Sequence, residues 1–164
     1  MTGNELAQIY EFSYGAIQRN LDGLTHEDSM ISPEPAGNCI NWVLGHMVTG
    51  RGLVLMLAGA APAVLTDEEA AGYRRGSAAL TAGGNAVDLA RLKSAFEETQ
   101  QRLIPALQAL SEASLSAEVP EQFRRPPLLG TVGQALTKLG YHEGYHNGQI
   151  GILRRMAGKE SAIK

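Results

Sequence analysis

The chain has 164 residues, of which 44% are hydrophobic, and its 14 basic and 17 acidic residues give a net charge of −3. This length and composition predict one soluble domain with its own core, spanning residues 1–164. The slightly negative charge argues against nucleic acid or an anionic membrane as a partner. The single cysteine, Cys39, excludes an internal disulfide and a metal site built from cysteines.

Targeting and membrane signals are weak. The first residues, MTGNELAQIYEF, lack the basic and apolar regions of a secretory signal, so we expect a cytoplasmic protein. Arg51 separates two uncharged stretches, Pro35–Gly50 and Gly52–Thr66, of 16 and 15 residues. Each is shorter than the roughly 18 residues that indicate a membrane span.

Apolar residues recur at helical spacing in four long stretches, and strand-like alternation is nearly absent. We therefore predict an all-α fold, a four-helix bundle with long crossover connections. The four stretches are Asn4–Leu21, Asn38–Leu57, Asp88–Leu110 and Thr131–Ala157.

Helix-start signals support these boundaries. Thr followed three residues later by Glu or Gln, the capping-box pattern, occurs at Thr2 and Thr131, and Asn38 is a plausible N-cap. A further capping box at Thr66 predicts a short extra helix within the connection 58–87.

Three of the four histidines lie on apolar helical faces. His142 and His146 are four residues apart and share one face of the last helix, and His46 lies beside Trp42 on the second. His26 falls in a polar segment, where we expect it to be solvated. A single inward histidine is usually a hydrogen-bonded core residue, but three unpaired rings are costly to bury.

One divalent metal would accept a lone pair from all three rings, and three imidazoles leave a coordination position free, as in catalytic zinc sites. Imidazole suits zinc, nickel, iron and copper. The alternative is a metal-free core in which each histidine has its own hydrogen-bond partners. The segment His142–His146 also matches the zinc-protease pattern H-E-x-x-H, but the chain lacks the extended motif and a strand-bearing lobe for a peptide.

Two motifs together resemble the DinB-like (DNA-damage-inducible) superfamily: NWVLGH at Asn41–His46 and HEGYHNGQI at His142–Ile150. The segment Thr66–Gly76 is similar to the interhelical segment of that family. The resemblance implies a four-helix bundle, usually a homodimer, that binds a divalent metal through three histidines, here His46, His142 and His146.

Characterised members of this family include thiol-dependent S-transferases and isomerases. The resemblance therefore implies a metal-dependent enzyme that acts on a small molecule by thiol transfer, isomerisation or hydrolysis. We expect zinc or nickel, with iron as a further candidate, and a low-molecular-weight thiol as a second cofactor. The alternative is a non-catalytic stress-response protein in which the metal is structural.

Glu143 is the candidate catalytic residue, either as a general base toward a metal-activated water or as an acceptor for an imidazole N–H. It is turned about 100° from His142, so a simple carboxylate at the bundle edge is the competing interpretation. Tyr145 would either donate a hydrogen bond into the site or pack as an ordinary aromatic.

Arginine doublets at positions 74–75, 124–125 and 154–155 could bind an anionic substrate or could be solvated. Five glycines lie on the face of the last helix opposite the histidines, at positions 133, 140, 144, 148 and 151. A smooth face of this kind predicts close approach of another helix, from the bundle or from a second subunit.

Overall fold

The computed structural model describes residues 1–62, 64–78, 80 and 84–163. Within these residues the chain is helical, without a β-strand, which confirms the predicted all-α class. The four long helices are α1 (Gly3–Leu21), α3 (Ile40–Leu57), α5 (Leu89–Gln108) and α7 (Val132–Met156). The connections contain α2 (His26–Ser29), α4 (Asp67–Ala71), α6 (Glu112–Ser116) and a 3-10 helix at Glu121–Phe123.

The long helices form a bundle in which each packs against two others. Helix α3 contacts α5 and α7, and α1 contacts the same two helices. Helices α1 and α3 therefore lie at opposite corners of the bundle, and so do α5 and α7. The connections α1–α3 and α5–α7 each run between diagonally opposite helices. This arrangement places α3 directly beside α7, the two helices on which the three histidines were predicted.

The core consists of two apolar clusters stacked along the bundle. One contains Ile17, Leu44, Phe96 and Ile150, and the other contains Leu6, Leu55, Leu103 and Leu136. Between them each long helix contributes a buried polar side chain: Ser13, Arg51, Thr99 and Glu143. Buried polar groups normally require partners, so this layer is a feature that needs a structural explanation.

Most predicted helix ends are confirmed. Complete capping boxes begin α1, α4 and α7, with hydroxyl caps from Thr2, Thr66 and Thr131. The prediction for Asn38 is wrong: Cys39 is the N-cap of α3 and makes no side-chain cap hydrogen bond. Gly158 has a φ of 76° and follows Ala157, the C-cap of α7, at the position where a left-handed residue commonly ends a helix.

The expectation that His26 is a solvated loop residue is wrong. It begins the short helix α2, is half-buried, and its Nδ1 accepts a hydrogen bond from the Leu89 backbone N–H at 3.2 Å. The Thr25 capping box that starts α2 satisfies the local backbone, so the polar sequence folds into a turn of helix rather than a free loop.

Helix α3 runs from the first uncharged stretch across Arg51 into the second, and its 18 residues are long and apolar enough for a membrane span by length and composition alone. However, 61% of it is buried inside the bundle. Arg51 lies within it and is also buried. The apolar character of α3 is therefore accounted for by its packing against α5 and α7.

The five glycines of α7 divide into two groups. Within this chain, Leu115 approaches Gly133, Ile9 approaches Gly140 and Asn20 approaches Gly151, which confirms close packing at those three positions. A side-chain Cβ at Gly144 or Gly148 would have no described atom within 4 Å. Of the two predicted partners, the bundle neighbour is therefore wrong for these two glycines, and the second subunit stays a prediction.

Candidate metal centre

His46 projects from α3 toward His142 and His146 on the adjacent α7. The ring centroids are 5.3 Å apart for His46 and His142, 5.1 Å for His46 and His146, and 4.3 Å for His142 and His146. One ring nitrogen from each histidine lies within 4.8 Å of the other two. The predicted histidine cluster is therefore present in the fold.

In two of the histidines the Nδ1 atom is hydrogen-bonded to an oxygen of another residue. His46 Nδ1 donates to the backbone carbonyl of Tyr73 at 2.8 Å, and His146 Nδ1 donates to Gln149 Oε1 at 2.6 Å. With Nδ1 as the donor, the neutral ring carries its lone pair on Nε2. The Nε2 of His146 faces the Nε2 of His142 at 3.0 Å.

This arrangement fits a divalent metal. Imidazole ligands usually donate the second ring N–H to an oxygen, which fixes the ring and leaves the other nitrogen for the metal. Two nitrogens bound to one tetrahedral zinc are about 3.3 Å apart, close to the spacing of His142 and His146. Among the described residues, no carboxylate or thiol joins the three histidines.

Comparison with known proteins agrees with this geometry. The family model of the DinB superfamily matches residues 9–150, which include all three histidines. The chain belongs to the DinB superfamily. No curated protein matches it. Among solved structures, it is similar to a protein from Enterococcus faecalis described as the conserved protein of locus, with a TM-score of 0.73 and 17% identity over 97% of this chain and 99% of that one. At this identity the likeness shows the fold alone.

In this member of the DinB superfamily, neighbouring aromatic residues hold His46 in place. Trp42, one turn earlier on α3, stacks on the His46 ring at 4.8 Å with an interplanar angle of 11°, and its indole N–H donates to Ser77 Oγ. Tyr73 is fully buried, and its hydroxyl donates to Asn41 Oδ1 at 2.9 Å. The segment after α4 thus fixes the His46 ring from the side opposite α7.

Burial favours the neutral forms of the two α7 histidines. His146 is 6% exposed, and desolvation is the main reason that its pKa falls to about 4. Desolvation, followed by the charge of His46, lowers the pKa of His142, the more exposed of the two. Neutral imidazole is the form that binds metal, so the fold holds these rings ready for a cation.

The lowered pKa of His146 predicts a pH-dependent stability for the metal-free protein. The unfolded chain protonates this histidine below pH ~6.5, whereas the folded ring does so only near pH 4. The unfolded state therefore binds more protons in this window, and stability is lost as the pH falls through it. Through His146 alone, we expect a loss of about 2 kcal/mol between pH 7 and pH 5.

Denaturant unfolding of chelator-treated protein at these two pH values measures this loss. The variant His146→Gln should show a correspondingly flatter pH dependence. Equal pH dependence in the parent and the variant would show that His146 does not carry the effect.

Glu143 is not at the bundle edge, and that interpretation is wrong. Its side chain is 4% exposed, and both carboxylate oxygens accept from the Arg51 guanidinium, at 2.9 Å from Nε and 2.7 Å from Nη2. Glu143 is also outside the group of three histidines. The general-base role of Glu143 stays a prediction, and the carboxylate faces a buried arginine.

Tyr145 lies at the rim of the site and is 58% exposed, so it is not a packed core aromatic. Its ring meets the His146 ring edge-on at 5.3 Å, and its hydroxyl accepts a 3.5 Å hydrogen bond from Gln149 Nε2. It is placed to contact a molecule that approaches the histidines from solvent.

One arginine of each doublet has a local partner. Arg124 donates to the Val119 carbonyl and pairs with Glu118, and Arg154 donates to the Asn20 carbonyl. Arg74 approaches Asp67 at 4.0 Å. These contacts tie connections and helix ends together.

Sequence reasoning missed several residues that support the site. Gln149 lies three residues after His146, a spacing that places two side chains side by side on a helix. Arg51 is the sole charge in helix α3, and a charge in so apolar a helix predicts a buried partner. The contact of Tyr73 with His46 had no local signal, because it joins residues 27 positions apart.

Proposed function

We propose that the chain is a metal-dependent enzyme in which His46, His142 and His146 bind one divalent cation, zinc or nickel foremost and iron next. The observation that carries the proposal is the hydrogen bond from Nδ1 to an oxygen in both His46 and His146, which leaves Nε2 of both rings for a common ligand. The ring cluster and the family support the same assignment.

Three imidazole ligands leave at least one coordination position for a substrate or a cofactor. A divalent cation there would supply Lewis-acid chemistry and would lower the pKa of a bound water or thiol. The residues around it hold the ligand rings, and Tyr145 and Gln149 line the exposed side. This arrangement supports thiol S-transfer, isomerisation or hydrolysis of a small molecule in the cytoplasm, with a low-molecular-weight thiol as the second cofactor.

One observation favours a second function. The concavity beside the site, lined by Met47 and His142 among others, has a volume of only about 10 Å³, enough for about one water molecule. A non-catalytic metal-binding stress-response protein, whose metal joins α3 to α7, needs no larger space. The two functions differ in whether an exogenous ligand reaches the metal.

Cobalt substitution tests both functions. Dialysis against Co²⁺ followed by elemental analysis should give one ion per chain. Addition of a small thiol should then produce a thiolate-to-cobalt charge-transfer band in the near ultraviolet, with the His46→Ala variant as the control. Stoichiometric cobalt without spectral change on addition of thiol or azide would indicate a closed, structural metal. Failure to bind any divalent ion would reject both functions.

We further propose that the protein is a homodimer, formed through an exposed apolar surface on α1 and α7. Its members are Ile9, Phe12, Tyr141, Gly144, Gly148 and Ile152. Phe12 is 78% exposed and Tyr141 is 80% exposed. Large exposed aromatic residues beside a smooth helix face are typical of a protein–protein contact.

Substitution of Gly144 by leucine is expected to shift the protein from two chains to one. The open space around Gly144 accommodates a leucine within one chain, so the stability of the single subunit should not fall. In a dimer built on this surface, the added side chain would separate the subunits. Light scattering of the parent, Gly144→Leu and Gly148→Leu measures the mass. A monomeric parent, or variants that remain dimeric, would contradict the proposed surface.

A further inference from the structure

The buried pair Arg51–Glu143 lies in the polar layer between the two apolar clusters. The two side chains make a bidentate contact, and Arg51 is 1% exposed. Nη1 of Arg51 donates to Gln100 Oε1 at 2.8 Å, and the guanidinium lies 3.9 Å from the centre of the Phe96 ring. Arg51 therefore has partners on both α5 and α7.

Stability alone does not explain such a pair. Removing two charges from water is costly, and apolar residues of similar volume are often as stabilising as a buried ion pair. Between two apolar clusters, an apolar pair would have continued the core. A fixed, directional contact at this position instead restricts how α3 and α7 can lie against each other.

The pair joins the same segments that carry the metal-binding histidines. Glu143 lies between His142 and His146 on α7, and Arg51 lies five residues after His46 on α3. Arg51, Glu143 and His142 also line the same small concavity, so the ion pair adjoins His142 of the histidine cluster.

We propose that Arg51 and Glu143 are positioning residues for the metal centre. Their bidentate contact sets α3 against α7 and thereby sets the spacing of His46 from His142 and His146. Both oxygens of Glu143 are used in this contact. In this role Glu143 acts on the metal centre through the histidines. This inference rests on the proposed metal-binding function.

The double variant Arg51→Met/Glu143→Leu separates positioning from stability. It removes both charges together and leaves neither buried without a partner, so its melting temperature should stay near that of the parent. Loss of a residue that orients a metal ligand typically weakens binding 10–100-fold. We therefore expect a Kd for Zn²⁺ about 10–100 times that of the parent, measured by competition with a chromophoric chelator. A folded double variant with the Kd of the parent would overturn the proposal.

The variant Arg51→Lys decides the question if the double variant does not fold. Lysine keeps the positive charge but cannot reproduce the planar two-point contact with a carboxylate. Its Kd for Zn²⁺ should exceed that of the parent, and an unchanged Kd would overturn the proposal.

The parent is measured first with Zn²⁺ and Ni²⁺. If it binds neither ion, the proposed function itself fails; if it binds and the variants bind equally well, only the positioning role fails.

Discussion

Substitution of His46, His142 or His146 by alanine is expected to weaken divalent-metal binding by more than about 100-fold. Loss of a group that only supports a ligand costs 10–100-fold, and loss of the ligand itself should cost more. Each variant leaves two imidazoles: the His46 variant leaves both on α7, and the other two variants leave one on α3 and one on α7. The expected loss is therefore similar whichever ring is removed. Chelator competition and elemental analysis after dialysis measure it.

The fourth histidine supplies a matched control. His26 is half-buried and is hydrogen-bonded to the backbone of Leu89, but it is not a member of the cluster. His26→Ala should keep the metal content and affinity of the parent. Undiminished metal uptake by any one of the three cluster variants would remove that residue from the site, and loss of metal in His26→Ala would show that the assay reports unfolding.

The sequence was sufficient for the architecture because the signals are local. Helical spacing of apolar residues and the capping boxes at Thr2, Thr66 and Thr131 depend on neighbours three or four positions apart. The same holds for His142 and His146, whose shared face follows from the geometry of one helix. Asn38 failed as an N-cap because cap choice depends on where the incoming chain turns, which is set by packing.

The surroundings of the site depend on contacts that cross the bundle. Arg51 meets Glu143 across 92 positions, and Tyr73 meets His46 across 27. The angle of Glu143 from His142 follows from the sequence, but the residue that faces Glu143 on α3 does not, so the sequence leaves both a catalytic carboxylate and an edge carboxylate open. For the same reason, the glycine face predicted a partner without indicating which positions α1 and α6 would cover.

The substitution Gly45→Ala tests how the fold supports His46. A Cβ at position 45 would lie 2.2 Å from Cδ1 of the Tyr73 ring. That ring is fully buried, and its hydroxyl binds both Asn41 Oδ1 and the backbone N–H of Val87. Because the ring is held at its far end, the clash should cost about 1–3 kcal/mol of unfolding free energy, as overpacking of a core does.

The same substitution should also reach the metal centre. The carbonyl of Tyr73 accepts the hydrogen bond from His46 Nδ1, so moving Tyr73 disturbs the orientation of that ring. We expect metal affinity to fall by about 10-fold or more.

Gly50→Ala is the matched control, because Gly50 lies in the same helix with no described atom within 4 Å of an added Cβ. It should gain about 0.5–1 kcal/mol from helix propensity and bind metal like the parent. Denaturant unfolding and chelator competition measure both variants, and we expect lower stability and weaker metal binding in Gly45→Ala alone. Equal stability and affinity in the two variants would mean that the Tyr73 ring moves aside without disturbing His46.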